Sequence, residues 1–147
     1  MGLYYESQQI VPVIGTKSST NTRTSVALTN AYDNAATTKI VEVGGYSKVD
    51  FAILYTMGAS ETGNSIEVRV DQSPDGVNFY RIPNETVSGG SSVLSAREFS
   101  FVGTNGTTST ISIGLDIFYK YVRVSFKETG VASNAGSVFC EGTLSGK

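Results

Sequence analysis

The sequence lacks histidine and tryptophan, and it holds a single cysteine, Cys140, among its 147 residues. Without histidine the chain has neither the commonest general base nor the commonest metal ligand, and a Ser-His-Asp triad is excluded. One cysteine cannot form a disulfide within the chain. Strand alternation places Cys140 on the same face as Val138, so we expect a buried, small apolar side chain rather than a reactive thiol.

Charge is sparse, and long apolar runs are absent. Charged residues make up 16% of the chain, with a formal net charge of −2. Lys and Arg are scattered without a basic stripe, which predicts no nucleic-acid partner. The longest apolar stretch, residues 51–55, is far shorter than the roughly 20 residues that span a bilayer, which predicts no membrane partner. Residues 1–9 lack the basic and apolar regions of a secretory signal, so we expect a soluble protein that is not secreted.

A hydrophobic period of two dominates the sequence and is typical of β-strands. Residues 66–71 and 121–127 show it most clearly, and their apolar members are predicted to face the core: Ile66, Val68, Val70, Val122, Val124 and Phe126. The intervening polar residues are predicted to face solvent: Glu67, Arg69, Asp71, Arg123, Ser125 and Lys127. Seven weaker strand candidates bring the total to about eight to ten. The fold class is therefore predicted as all-β, an antiparallel β-sandwich of jelly-roll or immunoglobulin-like type.

Residues 49–57 are apolar on both faces, which indicates a central strand or one covered by a partner. Residues 1–22 differ, because Pro12 interrupts their only apolar run and a central strand does not tolerate proline. We predict an N-terminal arm or edge strand over residues 1–22 and a sandwich domain over residues 23–147.

Two predicted turns and one pair of acidic residues are the places where a metal site or a catalytic site could be suspected. Residues 74–76 (PDG) predict a turn, and Asn105-Gly106 is a strong hairpin signal. Residues 71–76 resemble the start of a calcium loop, but position twelve is Ile82 instead of glutamate, so we interpret them as a turn in which aspartate caps its own backbone. Glu67 and Asp71 flank Arg69, which indicates an ordinary solvated charge pattern rather than a pair of catalytic acids. We predict no enzyme, no metal and no cofactor.

Several tyrosines lie at or near the ends of predicted strands: Tyr4, Tyr5, Tyr80, Tyr119 and Tyr121. A tyrosine ring there can stack on a sugar or fill a protein interface. The alternative is that each ring flanks the core and only its hydroxyl reaches water.

Two segments carry a resemblance to a known family. Residues 70–82 (VDQSPDGVNFYRI) and 118–126 (FYKYVRVSF) resemble the S-x-D-G-x-N-aromatic turn and the Y-x-Y-V-R-V penultimate strand of small β-sandwich virion proteins of tailed bacteriophages. The resemblance covers the second half of the chain. It implies a structural role in the virion, as a decoration or cement protein on the major capsid protein, or as a tail or neck component.

This resemblance and the residue pattern together give the functional expectations. We expect a homo-oligomer, with a trimer implied by the resemblance, and assembly in the host cytoplasm. We expect the N-terminal segment to contact a neighbouring subunit through Leu3, Tyr4, Tyr5, Ile10, Val11 and Val13. A carbohydrate-binding module is the second hypothesis, and an enzyme is the third.

Overall fold

The computed structural model describes residues 9–32, 34–81, 83–88, 91–96, 98–130 and 134–146, with the backbone alone described for 83–88 and 91–96. Leu3, Tyr4 and Tyr5 lie outside the described residues. Among these residues a single 3-10 turn, Ala35–Thr37, accompanies the strands. The strands are β1 (Gln9–Ile14), β2 (Thr16–Lys17), β3 (Arg23–Thr24), β4 (Val26–Ala27), β5 (Thr38–Glu42), β6 (Lys48–Thr56), β7 (Ser65–Ser73), β8 (Tyr80–Arg81), β9 (Pro83–Ser88), β10 (Ser91–Ala96), β11 (Glu98–Val102), β12 (Thr108–Asp116), β13 (Tyr121–Glu128) and β14 (Ser137–Ser145).

Two five-stranded antiparallel sheets form an all-β sandwich, which confirms the predicted fold class. The first sheet, called sheet I, has the order β1-β14-β6-β12, with β4 added beside β14. The second, called sheet II, has the order β11-β7-β13-β5, with β8 added beside β7. Two short hairpins, β2-β3 and β9-β10, complete the described strands. The strand order within each sheet, and the way the chain passes from one sheet to the other, are those of a jelly roll. Of the two predicted topologies, the structure therefore has the jelly roll and not the immunoglobulin-like one.

The core lies between the sheets and consists of residues that alternate along the long strands. In β6 the inward residues Val49, Phe51, Ile53 and Tyr55 are fully buried, as predicted for a central strand. On its other face Ala52 is exposed and Leu54 is half-buried. Cys140 is buried beside Ile53 across the β14–β6 pair, as expected for a small apolar side chain. No helix in the described part of the chain is long and apolar enough to cross a membrane.

The hairpin predicted at Asn105-Gly106 is wrong. Gly106 adopts the positive φ of 63° that a tight turn requires. The strands on either side, however, pair in different sheets, since β11 pairs with β7 and β12 pairs with β6. The turn therefore carries the chain from sheet II to sheet I, because the jelly-roll topology overrides the local hairpin signal.

The solvent-facing prediction for Asp71 is also wrong, because the side chain is only 2% exposed. Arg123, on the neighbouring strand β13, donates to its Oδ2 from Nη2 at 2.8 Å and from Nε at 3.3 Å. The Arg81 guanidinium lies 3.9 Å from its other oxygen. Long arginine side chains from adjacent strands thus cover a carboxylate that alternation alone places in water. Ser125, also predicted to face solvent, is buried as well.

Candidate functional site

One end of the sandwich carries a cluster of exposed aromatic side chains. Here the β7–β8 turn, residues 73–80, lies beside the β12–β13 loop, residues 117–120. Tyr80, Phe118 and Tyr119, which we call the aromatic patch, are 56%, 61% and 41% exposed. The rings of Tyr80 and Tyr119 are 6.5 Å apart between centroids and tilted by 44°. Because large apolar patches on a protein surface are commonly interaction sites, this cluster is a candidate binding surface.

A buried glutamine holds the loop that presents Phe118 and Tyr119. Gln72, on β7, accepts hydrogen bonds at its Oε1 from the backbone N–H groups of Phe118 at 2.8 Å and Tyr119 at 3.2 Å. Its Nε2 donates to the carbonyl of Asp116 at 3.0 Å. Since Gln72 is almost wholly buried, these bonds form away from competing water. The backbone of this loop is therefore held in place by buried hydrogen bonds within the chain.

The turn that presents Tyr80 is fixed by its own side chains. Ser73 Oγ accepts from the backbone N–H groups of Asp75 and Gly76, at 3.2 and 2.9 Å. Asp75 Oδ1 accepts from those of Val77 and Asn78, at 2.9 and 2.8 Å. The Asn78 backbone donor, followed by that of Val77, holds the pKa of the Asp75 carboxyl well below its usual range. Asp75 thus caps its own turn, in agreement with the turn interpretation of residues 71–76.

Glycine is required within this turn. Gly76 has a φ of 77°, in the left-handed region. A Cβ added there would lie 3.4 Å from the ring of Tyr121, so turn and ring are in close contact. Tyr121 is half-buried beneath the turn, opposite in phase to the buried Val122, and Lys120 Nζ lies 5.4 Å from its ring centroid.

The predicted N-terminal interface residues are divided by strand β1. This strand pairs antiparallel with β14 at the edge of sheet I, and Pro12 lies where the register shifts by a bulge. Val13 is 6% exposed and packs in the core of its own domain, whereas Ile10 is 65% exposed. Val11 is half-buried against the core. Of the described residues predicted for this interface, Ile10 leaves the most surface for another subunit.

The opposite end of the sandwich has a buried carboxyl at its centre. Glu128 is completely buried. Its Oε1 accepts from the Tyr55 hydroxyl at 2.6 Å and its Oε2 from the Gly136 N–H at 2.8 Å. Burial first, and then the bond to Glu128, raises the pKa of the Tyr55 phenol well above its usual range. This network fastens the β13–β14 loop to strand β6.

The described residues offer no cluster of metal ligands, and their one cysteine is poorly suited to thiol chemistry. In the ranges that the structure describes, no group of three or more His, Cys, Asp or Glu side chains could hold a metal ion. Burial raises the pKa of the Cys140 thiol well above its usual range, so the thiolate form is disfavoured.

The sequence analysis named Tyr80 and Tyr119 among the tyrosines at strand ends that could stack on a sugar or fill an interface, with the core-flanking alternative left open, and it did not name Phe118. Alternation gives no direction for Phe118, because it lies in a loop between strands. The available signal was the run Phe118-Tyr119 after Asp116 and before a strand, since consecutive aromatics in a four-residue loop cannot all turn inward. Its position next to Tyr80 follows only from the strand order.

Comparison with known proteins gives remote likenesses. The sequence matches no protein-family model and no curated protein sequence. The structure is similar to dimeric latent PorU from Porphyromonas gingivalis, with a TM-score of 0.46, 10% identity and 97% of this chain covered. The chain spans 13% of that PorU chain. It is also similar to a Bacillus endospore appendage from a family of disulfide-linked pili, with a TM-score of 0.37, 14% identity, and 99% and 91% of the two chains covered.

Proposed function

We propose that this chain is a non-enzymatic structural protein of a tailed-phage virion that binds the major capsid protein through the aromatic patch. The patch carries the proposal, because Phe118 and Tyr119 lie on a loop held by Gln72 and Tyr80 follows a turn held by Ser73 and Asp75. Two further observations support it. Jelly rolls are common in viral capsid proteins, and the segments that form the patch are the two that resemble virion proteins. Fold alone would not suffice, since one topology serves many functions.

The geometry of the patch suits a protein partner. Aromatic side chains are enriched in the buried centre of protein interfaces, and they lose little side-chain entropy on binding. A loop that is already ordered avoids much of the ordering cost of association. Lys120 beside the patch pairs with Glu42 at 3.3 Å, so an ion pair lies at its rim. Rim charges set register and association rate more than affinity.

The N-terminal segment provides a second proposed contact. Residues 1–8 precede an edge strand that already belongs to its own sheet, so only they and Ile10 are proposed to reach a neighbouring subunit, in a homo-oligomer proposed to be a trimer. Deleting residues 1–8 should leave the melting temperature unchanged and weaken oligomerisation in sedimentation experiments. Deleting residues 1–15 should unfold the domain, because it removes the buried Val13 and Ile14. A folded domain after the longer deletion would contradict this division.

Carbohydrate binding is the second candidate, and the pair formed by Tyr80 and Tyr119 favours it. Two exposed tilted rings with centroids 6.5 Å apart can contact the apolar faces of a sugar. A glycan array separates the two candidates. Binding of neutral glycans that is lost in Tyr119→Ser would support the carbohydrate function over the protein interface.

The proposed function is tested on particles of the phage whose genome encodes the chain. Mass spectrometry of density-purified particles should detect the chain, and immunogold labelling should place it on the capsid instead of the tail or neck. Particles from a strain without the gene should take up added wild-type protein but not the double variant Phe118→Ser, Tyr119→Ser. Val102→Ser, at the opposite end, is the matched control because Val102 is also highly exposed. Absence of the chain from particles, or equal uptake of the double variant, would overturn the proposal.

A further inference from the structure

A polar pocket lies on the outer face of sheet II, apart from the aromatic patch. It has a volume of about 320 Å³ and is lined by Tyr32, Asn34, Ala35, Thr38, Arg69, Arg123 and Ser125. Two guanidinium groups line it, and the described lining residues include no carboxylate. Pockets from about 300 Å³ upward are of the size that binds small molecules.

Aromatic rings hold both guanidinium groups in place. The Cζ atom of Arg69 lies 4.3 Å from the ring centroid of Tyr32, and that of Arg123 lies 4.3 Å from the ring centroid of Phe79. Arg123 is fixed further by its two hydrogen bonds to the buried Asp71. Stacked arginines lose little freedom on binding a ligand.

The ion pairs around the pocket leave Arg69 without a carboxylate of its own. Three neighbouring cations each have an acidic partner: Arg123 with Asp71 at 2.8 Å, Arg81 with Glu98 at 3.9 Å and Lys127 with Glu67 at 2.9 Å. Arg69 Nε approaches only the shared Asp71, at 4.0 Å. Within the described residues this Nε has no hydrogen-bond partner, although the side chain is only 19% exposed. A cation removed from water in this way calls for a compensating anion.

We propose that this pocket binds the carboxylate of an acidic sugar unit such as a uronic acid, with Arg69 as the principal contact. A guanidinium pairs with a planar carboxylate through two parallel hydrogen bonds. The volume exceeds what a bare oxyanion fills. The Thr38 hydroxyl, which lines the pocket, donates to the Tyr32 carbonyl at 3.0 Å and can still accept from a sugar hydroxyl. The proposal uses none of the aromatic patch, so it stands or falls independently of the proposed virion role.

The test is a titration of the folded full-length chain with glucuronate, followed by NMR. Saturable shifts are expected at residues 34–38, 69 and 123, and the same titration with neutral glucose should give none. Arg69→Gln should weaken glucuronate binding at least about tenfold, since it removes a charged hydrogen-bonding partner. Arg81→Gln is the matched control, because Arg81 also approaches Asp71 but does not line the pocket. Its affinity should match that of the wild type.

Further arms identify the ligand class and exclude unfolding as the cause of lost binding. Without ligand, Arg69→Gln should still unfold in one cooperative thermal transition, because Asp71 keeps its two hydrogen bonds from Arg123. No saturable glucuronate binding at millimolar concentration, or no effect of Arg69→Gln, would overturn the proposal. If inorganic phosphate binds as tightly as glucuronate, the pocket recognises any oxyanion and the sugar assignment is wrong. If glutarate binds as tightly, the ligand is better assigned as an acidic protein side chain. Asp33 lies outside the described residues, but its chain neighbours Tyr32 and Asn34 line the pocket. If Asp33→Asn binds glucuronate and the wild type does not, the proposal is overturned.

Discussion

The two ends of the sandwich are held by buried polar side chains of nearly the same size, yet they present different surfaces. At one end the amide of Gln72 holds the backbone at Phe118 and Tyr119, and at the other the carboxyl of Glu128 holds the backbone at Gly136. The Gln72 end exposes Tyr80, Phe118 and Tyr119, whereas at the Glu128 end Val102 is the exposed large hydrophobic residue among those described.

The comparison shows that the hydrogen bonds holding a loop and the side chains the loop exposes are separate properties. Glu128 bonds to Tyr55, a core residue of β6, so its network joins the loop directly to the centre of the sandwich. Gln72 bonds only to backbone groups of the neighbouring loop and strand end, and the side chains of that loop are left outside. Both loops are held through backbone groups, but only the Glu128 network among the described residues also includes a core side chain, Tyr55. Function commonly lies on loops that a rigid scaffold positions, and the Gln72 end is the one that exposes aromatic rings.

The largest expected effect is at the Glu128 end. Glu128→Ala leaves the Tyr55 hydroxyl and the Gly136 N–H buried without their partner, and should lower the free energy of unfolding by about 3 kcal/mol. Urea unfolding measures this value. Glu128→Gln is the control, because its amide oxygen can still accept one of the two bonds and should retain part of the stability. A loss below about 1 kcal/mol for Glu128→Ala would show that this network does not fasten the loop.

An intermediate effect is expected at the Gln72 end. Gln72→Leu keeps the volume but removes the acceptor for the Phe118 and Tyr119 N–H groups, and should cost about 2 kcal/mol. Hydrogen exchange should become faster at residues 117–120 and remain unchanged at residues 134–136. Gln72→Glu retains the acceptor oxygens and should protect these amides better than Gln72→Leu does. Faster exchange at both ends in Gln72→Leu would remove the distinction between them.

A smaller effect, and one that depends on pH, is expected at the turn. Hydrogen bonds from Asn78 and Val77 lower the folded-state pKa of Asp75, so the stability they contribute is present above the unfolded pKa of about 3.9 and is lost as pH falls below it. The difference in unfolding free energy between wild type and Asp75→Asn should therefore shrink from about pH 5 to about pH 3. The exposed Asp50, changed to Asn, provides the control. A difference that grew toward low pH would mean that the ionised carboxylate does not stabilise the turn.

The smallest effect on stability is expected in the aromatic patch itself. Phe118→Ser should change the free energy of unfolding by no more than about 0.5 kcal/mol, because the ring is largely exposed. Phe126→Ser should be strongly destabilising, because Phe126 is fully buried. Thermal melts compare the two. A large loss in Phe118→Ser would place the ring in the fold instead of on a display surface.

Alternation predicted the strands but not the sites. The inward positions of β7 and β13 follow directly from the period of two, and the structure confirms them at Val68 and Val124. Asp71 was assigned to the wrong environment, since its burial depends on Arg123 across the strand pair and on Arg81 from a later strand. The pattern of a single strand does not show how it is aligned with its neighbours. The alignment of β13 and β8 with β7 is what brings these three residues together.

The loop ends show the same limit for a different reason. Turn chemistry at Asp75 and Gly76 is local, so it was predicted correctly from the PDG run. The Asn105-Gly106 signal is equally local, but the sheet that each flanking strand joins is decided by long-range packing. The partnership of Gln72 with residues 118 and 119 spans a sequence separation of 46 and 47 residues, which no local pattern encodes.

The central proposal, that one end of the sandwich is a binding surface, is tested most directly by hydroxyl-radical footprinting of the chain free in solution and on the phage particles proposed to carry it. Tyr80, Phe118 and Tyr119 should be oxidised readily in the free protein and protected on the particle. Val102, at the opposite end, should react equally in both states. Equal oxidation of the aromatic patch in the two states, or protection of Val102 alone, would contradict the account.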